Sequence, residues 1–378
     1  LVIITMVEKQ SLQKVVAALQ LPAVVAFGNP LLDVVSTIQD ANLLEKYKLE
    51  VDNEIELPED IIQQILADLP TDWNQRVAAG GCAQNTARIL QWLCGGPKIP
   101  HVAVICGGIG NDSRGATLEK LVKATGVETR YALHLDLPTG IALSLSRDSS
   151  RSLIANLGAA GVYTLEDLKK SNLPWETIKI VYIEGFFLTH GLDVAKEVVK
   201  LTQDKNIIIA FNINGEYMVQ DHHAAICEMV GLSKIVFGNA REMTALAKAL
   251  NIKFDNVADI PFLLNSSKRV TVGVSSTERS KDDWLADNDI FVMTQGGSAP
   301  AIVVWGQGNS VQVQPTKPPT PVVDATGAGD ALVAGFLAGV LSQWDPKSCL
   351  ECGCKTAGMM VTRLGVTLPD VVPEDILK

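Results

Sequence analysis

Six short runs rich in β-branched residues, at 24–27, 102–106, 178–183, 207–211, 235–237 and 302–305, are apolar along almost their whole length. A strand that is apolar on both faces has to be covered on both. The segments between these runs supply the cover, because 85–93, 192–201, 241–250 and 331–341 carry apolar residues at helical spacing. Strands alternating with helices predict an α/β domain on a mostly parallel central sheet, with ligands gathering at the strand ends.

Two stretches break the alternation. Residues 33–74 and 126–158 hold period-two patterns, as at 130–135 and 142–146, that read as antiparallel strands of a second, smaller unit. Residues 265–289, rich in Ser, Lys and Asp, read as a solvated surface excursion. At 378 residues the chain exceeds the usual size of a single core, so a large domain with a smaller appendage is expected.

The net charge of -10 argues against a nucleic-acid or anionic-membrane surface, since both need clustered basic residues. No run reaches the roughly 18 uncharged apolar residues of a membrane helix, and Glu8 and Lys9 follow closely on the apolar residues 1–5. Neither a membrane span nor a signal peptide is expected. The seven cysteines are odd in number and lie mostly in apolar runs, which predicts reduced thiols and a reducing compartment, the cytoplasm or the nucleus. Cys349, Cys352 and Cys354 are close together, but 347–364 reads as a helix on which they do not share one face, so no metal site is expected there.

The run Asp324-Ala325-Thr326-Gly327-Ala328-Gly329-Asp330 leads into the apolar helical stretch at 331–341. Glycines let a backbone approach a phosphate, the first N–H groups of a helix point outward unpaired, and the helix dipole favours negative charge there. With Asp330 beside it, this is an anion site containing a base. The same residues also read as an ordinary strand-to-helix junction with a first-turn carboxylate. Two other phosphate motifs fail: Leu332 stands where a dinucleotide fingerprint starting at Gly327 needs a small residue, and no G-x-x-x-x-G-K-[ST] occurs. Gly107-Gly108-Ile109-Gly110-Asn111-Asp112 also lacks the third glycine and reads as a turn.

The run resembles the signature D-[TA]-x-G-A-G-D of the ribokinase-like carbohydrate and purine kinases. Six further segments are similar to that family in the same order: Gly28-Asn29-Pro30-Leu31-Leu32-Asp33, Gly80-Gly81-Cys82-Ala83-Gln84-Asn85, Arg151-Ser152-Leu153-Ile154-Ala155-Asn156-Leu157, Gly185-Phe186-Phe187-Leu188-Thr189, Phe237-Gly238-Asn239-Ala240-Arg241-Glu242 and Thr294-Gln295-Gly296. The resemblance implies a ribokinase-like three-layer α/β/α domain (23–32, 75–125 and 159–378), a small discontinuous β-rich lid (33–74 and 126–158) and an N-terminal extension (1–22). It implies ATP-dependent phosphorylation of the 5′-hydroxyl of adenosine to AMP, with Mg²⁺ as cofactor and small molecules as the only partners, in a monomer or weak homodimer. A different nucleoside, a sugar, or ligand binding without catalysis are the other readings.

Carried over residue by residue, the resemblance makes Asp330 the general base, with the N–H groups of Gly327, Ala328 and Gly329 on the transferred phosphoryl group. Arg151 would hold that phosphate through its planar guanidinium, although an Arg before an apolar run is also an ordinary surface charge. Asn29 and Asp33 become ribose ligands, which suits a carboxylate that accepts two hydroxyl protons; an Asn-Pro turn with a surface Asp has the same sequence. Gly80, Gly81, Cys82 and Asn85 would touch the sugar from a helix N-terminus. Leu31, Ile55, Leu153, Ala155 and Phe187 would form an apolar slot for the base, or simply pack in the core. Asn239 and Glu242 would orient water around Mg²⁺ and equally make a capping box. Thr294, Gln295 and Gly296 would line the ATP side, and Asp324 would order the turn. Ala325 stands where many family members have Thr, so any side-chain role of that Thr is absent here.

Overall fold

The computed structural model describes residues 11–38, 42–50, 54–69, 75–147, 150–272, 284–285, 289–297 and 299–377. In chain order the strands are β1 (Val24–Phe27), β2 (Leu31–Thr37), β3 (Glu54–Glu56), β4 (Gln75–Gly80), β5 (Ala103–Gly110), β6 (Glu128–His134), β7 (Thr139–Arg147), β8 (Ser150–Gly158), β9 (Ile180–Glu184), β10 (Ile208–Asn212), β11 (Ile235–Asn239), β12 (Ile290–Thr294), β13 (Ala301–Trp305) and β14 (Asn309–Val313). They form two sheets.

The larger sheet runs β14-β13-β12-β11-β10-β9-β1-β5-β6. Every pairing from β12 to β6 is parallel, and β13 and β14 close one edge as antiparallel strands. Alternate residues of one strand enter opposite cores. Val24 and Ala26 face the helices Cys82–Leu93, Ala328–Leu341 and Pro346–Met360, while Val25 and Phe27 face the layer that includes Leu188–Thr202, His223–Leu232 and Ala240–Ala249. That is why these strands read as continuous apolar runs. The Ala328–Leu341 helix is buried from Asp330 onward, and Phe336 meets Phe237 edge to face at 5.4 Å. Full burial of such a side chain contributes about 1.5–3 kcal/mol. The resulting three-layer α/β/α arrangement is the expected one.

The smaller sheet runs β3-β8-β7-β2-β4 and mixes parallel with antiparallel pairs. On one face Val34, Ile141, Leu143, Leu145 and Ile154 pack against Leu43, Leu44, Ile62 and Ile65 of two short helices, Asn42–Tyr47 and Glu59–Asp68. The other face carries a row in which Asp33 stands beside Ala142, and Ala142 beside Ala155. The chain passes between the sheets four times, at 28–30, 81, 135–138 and 158–159.

Three expectations need correction. Residues 75–80, assigned to the large domain, pair with β2 in the small sheet, and β6, assigned to the lid, runs parallel to β5 at the edge of the large sheet. An edge strand covered on one face alternates in polarity just as a lid strand does. Residues 265–268 are not surface excursion. They belong to the helix Ile260–Val272, where Asn265 is buried and donates to the Asp289 carbonyl at 2.7 Å, and buried Lys268 pairs with Asp289 at 2.9 Å. Their polar side chains tie that helix to the start of β12, which composition alone does not reveal.

Candidate active site

Five strands of the large sheet end in or just before polar groups: Asn29 after β1, Glu184 on β9, Asn212 on β10, Asn239 on β11 and Thr294 on β12. Asn29, Glu184 and Asn212 are buried. Opposite β1 and β9 lies the N-terminus of the Ala328–Leu341 helix. Gly327 caps it in the left-handed conformation (φ 76°), which costs glycine little. Asp324 fixes the preceding turn by accepting from the Thr326 N–H and hydroxyl at 2.9 and 2.7 Å and from the Gly365 N–H at 2.9 Å. The N–H groups of Gly327 and Gly329 have no acceptor among the described residues, whereas Ala328 N–H donates to the Ala325 carbonyl at 3.2 Å. Two of the three expected anion-binding N–H groups are therefore open.

Asp330, on the first turn, is 6% exposed, and Asn85 Nδ2 donates to its Oδ2 at 3.1 Å. Burial pushes its carboxyl up to about 7, opposed by hydrogen bonds from Asn85 and the Cys82 thiol and reinforced by the nearby Asp33 charge. Buried Arg88 sets the amide: its Nη1 donates to Asn85 Oδ1 at 3.3 Å and to the Ala79 carbonyl at 2.9 Å, so the Asn85 NH₂ is turned toward Asp330. Arg88 also reaches the Val366 carbonyl at 3.2 Å. Burial lowers the guanidinium to about 10, the Asp33 charge acting in the other direction.

Asp33 lies against the Cα of Gly80, and Gly81 (φ 89°) sits against the Asn29 carbonyl; a Cβ at either position would overlap these groups. Asn29, Asp33, Gly80, Gly81, Cys82, Asn85 and Asp330 thus form one cluster. Asn29 Nδ2 donates to the Phe186 carbonyl at 3.3 Å, and its Oδ1 is buried without a partner, an acceptor left for a ligand hydroxyl. Leu31 belongs to the same region, with its side chain against Gly140. Leu153 and Ala155 stand on the helix-free face of the small sheet.

Ile55 does not join them. It pairs with Ile154, whose side chain is on the helix-covered face, because residues one apart on a strand point to opposite sides. Phe187 is also misplaced by the sequence reading. It is fully buried, with its ring centroid 6.2 Å from Phe27, 6.0 Å from Tyr163 and 5.2 Å from His190, and no part of it is open to a ligand. The tight turn Gly185–Phe187 sends one Phe inward and leaves Phe186 half-buried, stacked on Tyr217 at 5.9 Å. The backbone of Arg151 lies in β8 opposite Ser146; its side chain is outside the described residues.

Further along the strand ends, Asn239 and Glu242 form a reciprocal capping box. Asn239 Oδ1 accepts from the Arg241 and Glu242 N–H groups, and the Glu242 carboxylate accepts from Asn239 N at 2.8 Å and Nδ2 at 2.7 Å. Burial pushes Glu242 up to about 7 against the Asn239 N–H. Thr294 is in register with Asn239; Gln295 donates to the Pro300 carbonyl at 2.7 Å, and Gly296 (φ 74°) makes the turn. Among the described residues no group of three His, Cys, Asp or Glu side chains could hold a metal ion.

Sequence reasoning missed Glu184, Arg88, Phe186 and Tyr217. A carboxylate ending the apolar strand at 180–183 and an Arg one helical turn after Asn85 were the available signals for the first two.

Residues 67–372 match the pfkB family carbohydrate kinase. Adenosine kinase 2 of Arabidopsis thaliana is 29% identical over 346 residues, covering 91% of this chain and 94% of the relative, and adenosine kinase of Saccharomyces cerevisiae is 27% identical over 91% and 96%. Among solved structures, Anopheles gambiae adenosine kinase in complex with P1,P4-di(adenosine-5) tetraphosphate superposes with a TM-score of 0.73 at 28% identity, over 90% of this chain and 95% of that one. Schistosoma mansoni adenosine kinase in complex with tubercidin, 24% identical over 95% and 100%, shares the fold with a TM-score of 0.77.

Proposed function

The chain belongs to the pfkB family of carbohydrate kinases, and on that footing we propose that it transfers the γ-phosphoryl group of ATP to the 5′-hydroxyl of adenosine, giving AMP and ADP. The observation that carries this reading is Asp330, buried at a helix N-terminus where the Gly327 and Gly329 N–H groups are open, with the polar groups Asn29, Asp33 and Asn85 around it. A carboxyl pushed up to about 7 is suited to take a proton near neutral pH. The Gly327 and Gly329 N–H groups then stabilise the charge on the transferred group as the hydroxyl attacks in line. Arg151, on the lid strand β8, adds its guanidinium when the lid closes.

Acceptor choice follows from the walls. Asn29 and Asp33 are suited to ribose hydroxyls, while half-buried Phe186, stacked on Tyr217, and the apolar Leu31, Leu153 and Ala155 suit a flat base. A sugar kinase would need polar groups there. The test is ATP-dependent phosphorylation across a panel of nucleosides and free sugars. Adenosine is expected to be the best acceptor, and ribose or fructose turned over as efficiently would overturn the assignment.

Mg²⁺ fits beside Asn239 and Glu242 through water, since each Glu242 oxygen keeps a lone pair beyond its bond to Asn239 and Mg²⁺ favours retained waters over a protein cage. When bound, the ion supplies charge neutralisation at the ATP phosphates. Glu242→Gln keeps the capping shape and is expected to raise the Mg²⁺ concentration for half-maximal rate by about tenfold. An unchanged Mg²⁺ titration would leave Glu242 a capping role alone. That none of the seven cysteines is in a disulfide supports a reducing compartment, the cytoplasm or nucleus.

A further inference from the structure

We infer that Glu184 is a positioning residue for the acceptor, a buried carboxylate clamp that sets the distance between the group that binds the nucleoside and the group that holds the base. This rests on the kinase reading above and deepens it.

Glu184 ends β9 and is 1% exposed. Its Oε1 accepts the N–H of Asn29 at 2.5 Å, and its Oε2 accepts the N–H of Ala83 at 2.5 Å. The first donor is in the loop that leaves β1 for the lid. The second is a first-turn N–H of the Cys82–Leu93 helix, which has no intrahelical acceptor. One side chain therefore joins the loop bearing Asn29 to the helix bearing Asn85, which hydrogen-bonds Asp330.

The arrangement is costly for mere adhesion. Among the described residues no cation pairs with Glu184, and burying an unpaired carboxylate is strongly unfavourable unless its hydrogen bonds are specific. The main chain is shaped around it as well, since a Cβ on Gly28 would overlap both the Glu184 carboxyl and the Ala83 side chain. An apolar contact would hold the two segments together, but without fixing them. Burial pushes the Glu184 carboxyl up to about 8 against these two N–H groups; the two bonds to two different backbones hold Asn29 and Asn85 in one geometry, and displacement by even 1 Å can cost about 10²-fold in rate.

Glu184→Gln keeps the size but offers one acceptor; its NH₂ must face the second N–H and repel it. We expect the KM for adenosine to rise by about tenfold or more, with the KM for ATP unchanged within about twofold. Glu184→Asp keeps the carboxyl group but is one methylene too short to span both donors, so it is expected to move the adenosine KM in the same direction. A role confined to folding would lower the active fraction and melting temperature, and leave both KM values where they were. Wild-type adenosine KM in the folded variants would overturn the inference. A wild-type protein inactive on adenosine would instead overturn the adenosine assignment, and the acceptor found in the panel would then take adenosine's place in the same comparison.

Discussion

Asp330→Asn is expected to lower kcat on adenosine by about 10²–10⁴-fold while adenosine still binds. The amide keeps the volume of the carboxyl and can still accept from Asn85, but it cannot take a proton. Binding and chemistry are thereby separated: equilibrium titration with adenosine should give an affinity close to wild type, and single-turnover kinetics should show the loss. The wild-type pH profile carries the same information. The base works deprotonated, and burial pushes Asp330 up to about 7, so kcat/KM should climb with pH through that value; the limb should be missing in the variant. A second sign follows from linkage. A carboxyl raised in the folded state opposes folding as pH rises from its unfolded value near 4 through about 7, so at pH 8 the variant should melt no lower than wild type. Retention of a tenth of wild-type turnover would remove Asp330 from the base role.

The other large effect concerns the sugar. Adenosine should exceed 2′-deoxyadenosine in kcat/KM by up to about 10⁴-fold, because a carboxylate placed to receive hydroxyl protons loses those bonds when the hydroxyls are missing. Asp33 is the proposed reader, fixed on β2 between Ala78 and Ala142 and pressed against Gly80. Asp33→Ala should therefore harm adenosine far more than the deoxy analogue and nearly close the gap. If the ratio of the two substrates stayed at its wild-type value in Asp33→Ala, the hydroxyls would have to be read elsewhere, with Asn29 Oδ1 the next candidate.

Much of this molecule is legible in its sequence, and the failures share a cause. Strands such as Val24–Phe27 and helices such as Ala328–Leu341 are visible because burial on both faces of a sheet leaves a period that one sequence suffices to detect. The cluster around Asp330 is legible because its glycines and carboxylates are adjacent in short motifs. What is hidden is orientation at single-residue resolution. Phe186 and Phe187 are equivalent as letters, and only the turn at Gly185 decides which ring packs on Phe27 and which stacks on Tyr217. Ile55 belongs to the wrong face because the register of β3 on β8 is a tertiary fact. Glu184 was passed over for a similar reason, since its two partners are 155 and 101 residues away in the chain.

The four passages between the sheets bear on how such a protein can change over evolutionary or engineered time. A domain inserted at one point can be exchanged by cutting two neighbouring joints, whereas the small sheet is sewn in at four. Two of the seams, at 28–30 and at 81, run through Asn29 and beside Asp33 and Asn85. A foreign small sheet cannot be grafted without redrawing the cluster around Asp330, and the cluster cannot be redrawn without moving the sheet. Small sheet and cluster are inherited together.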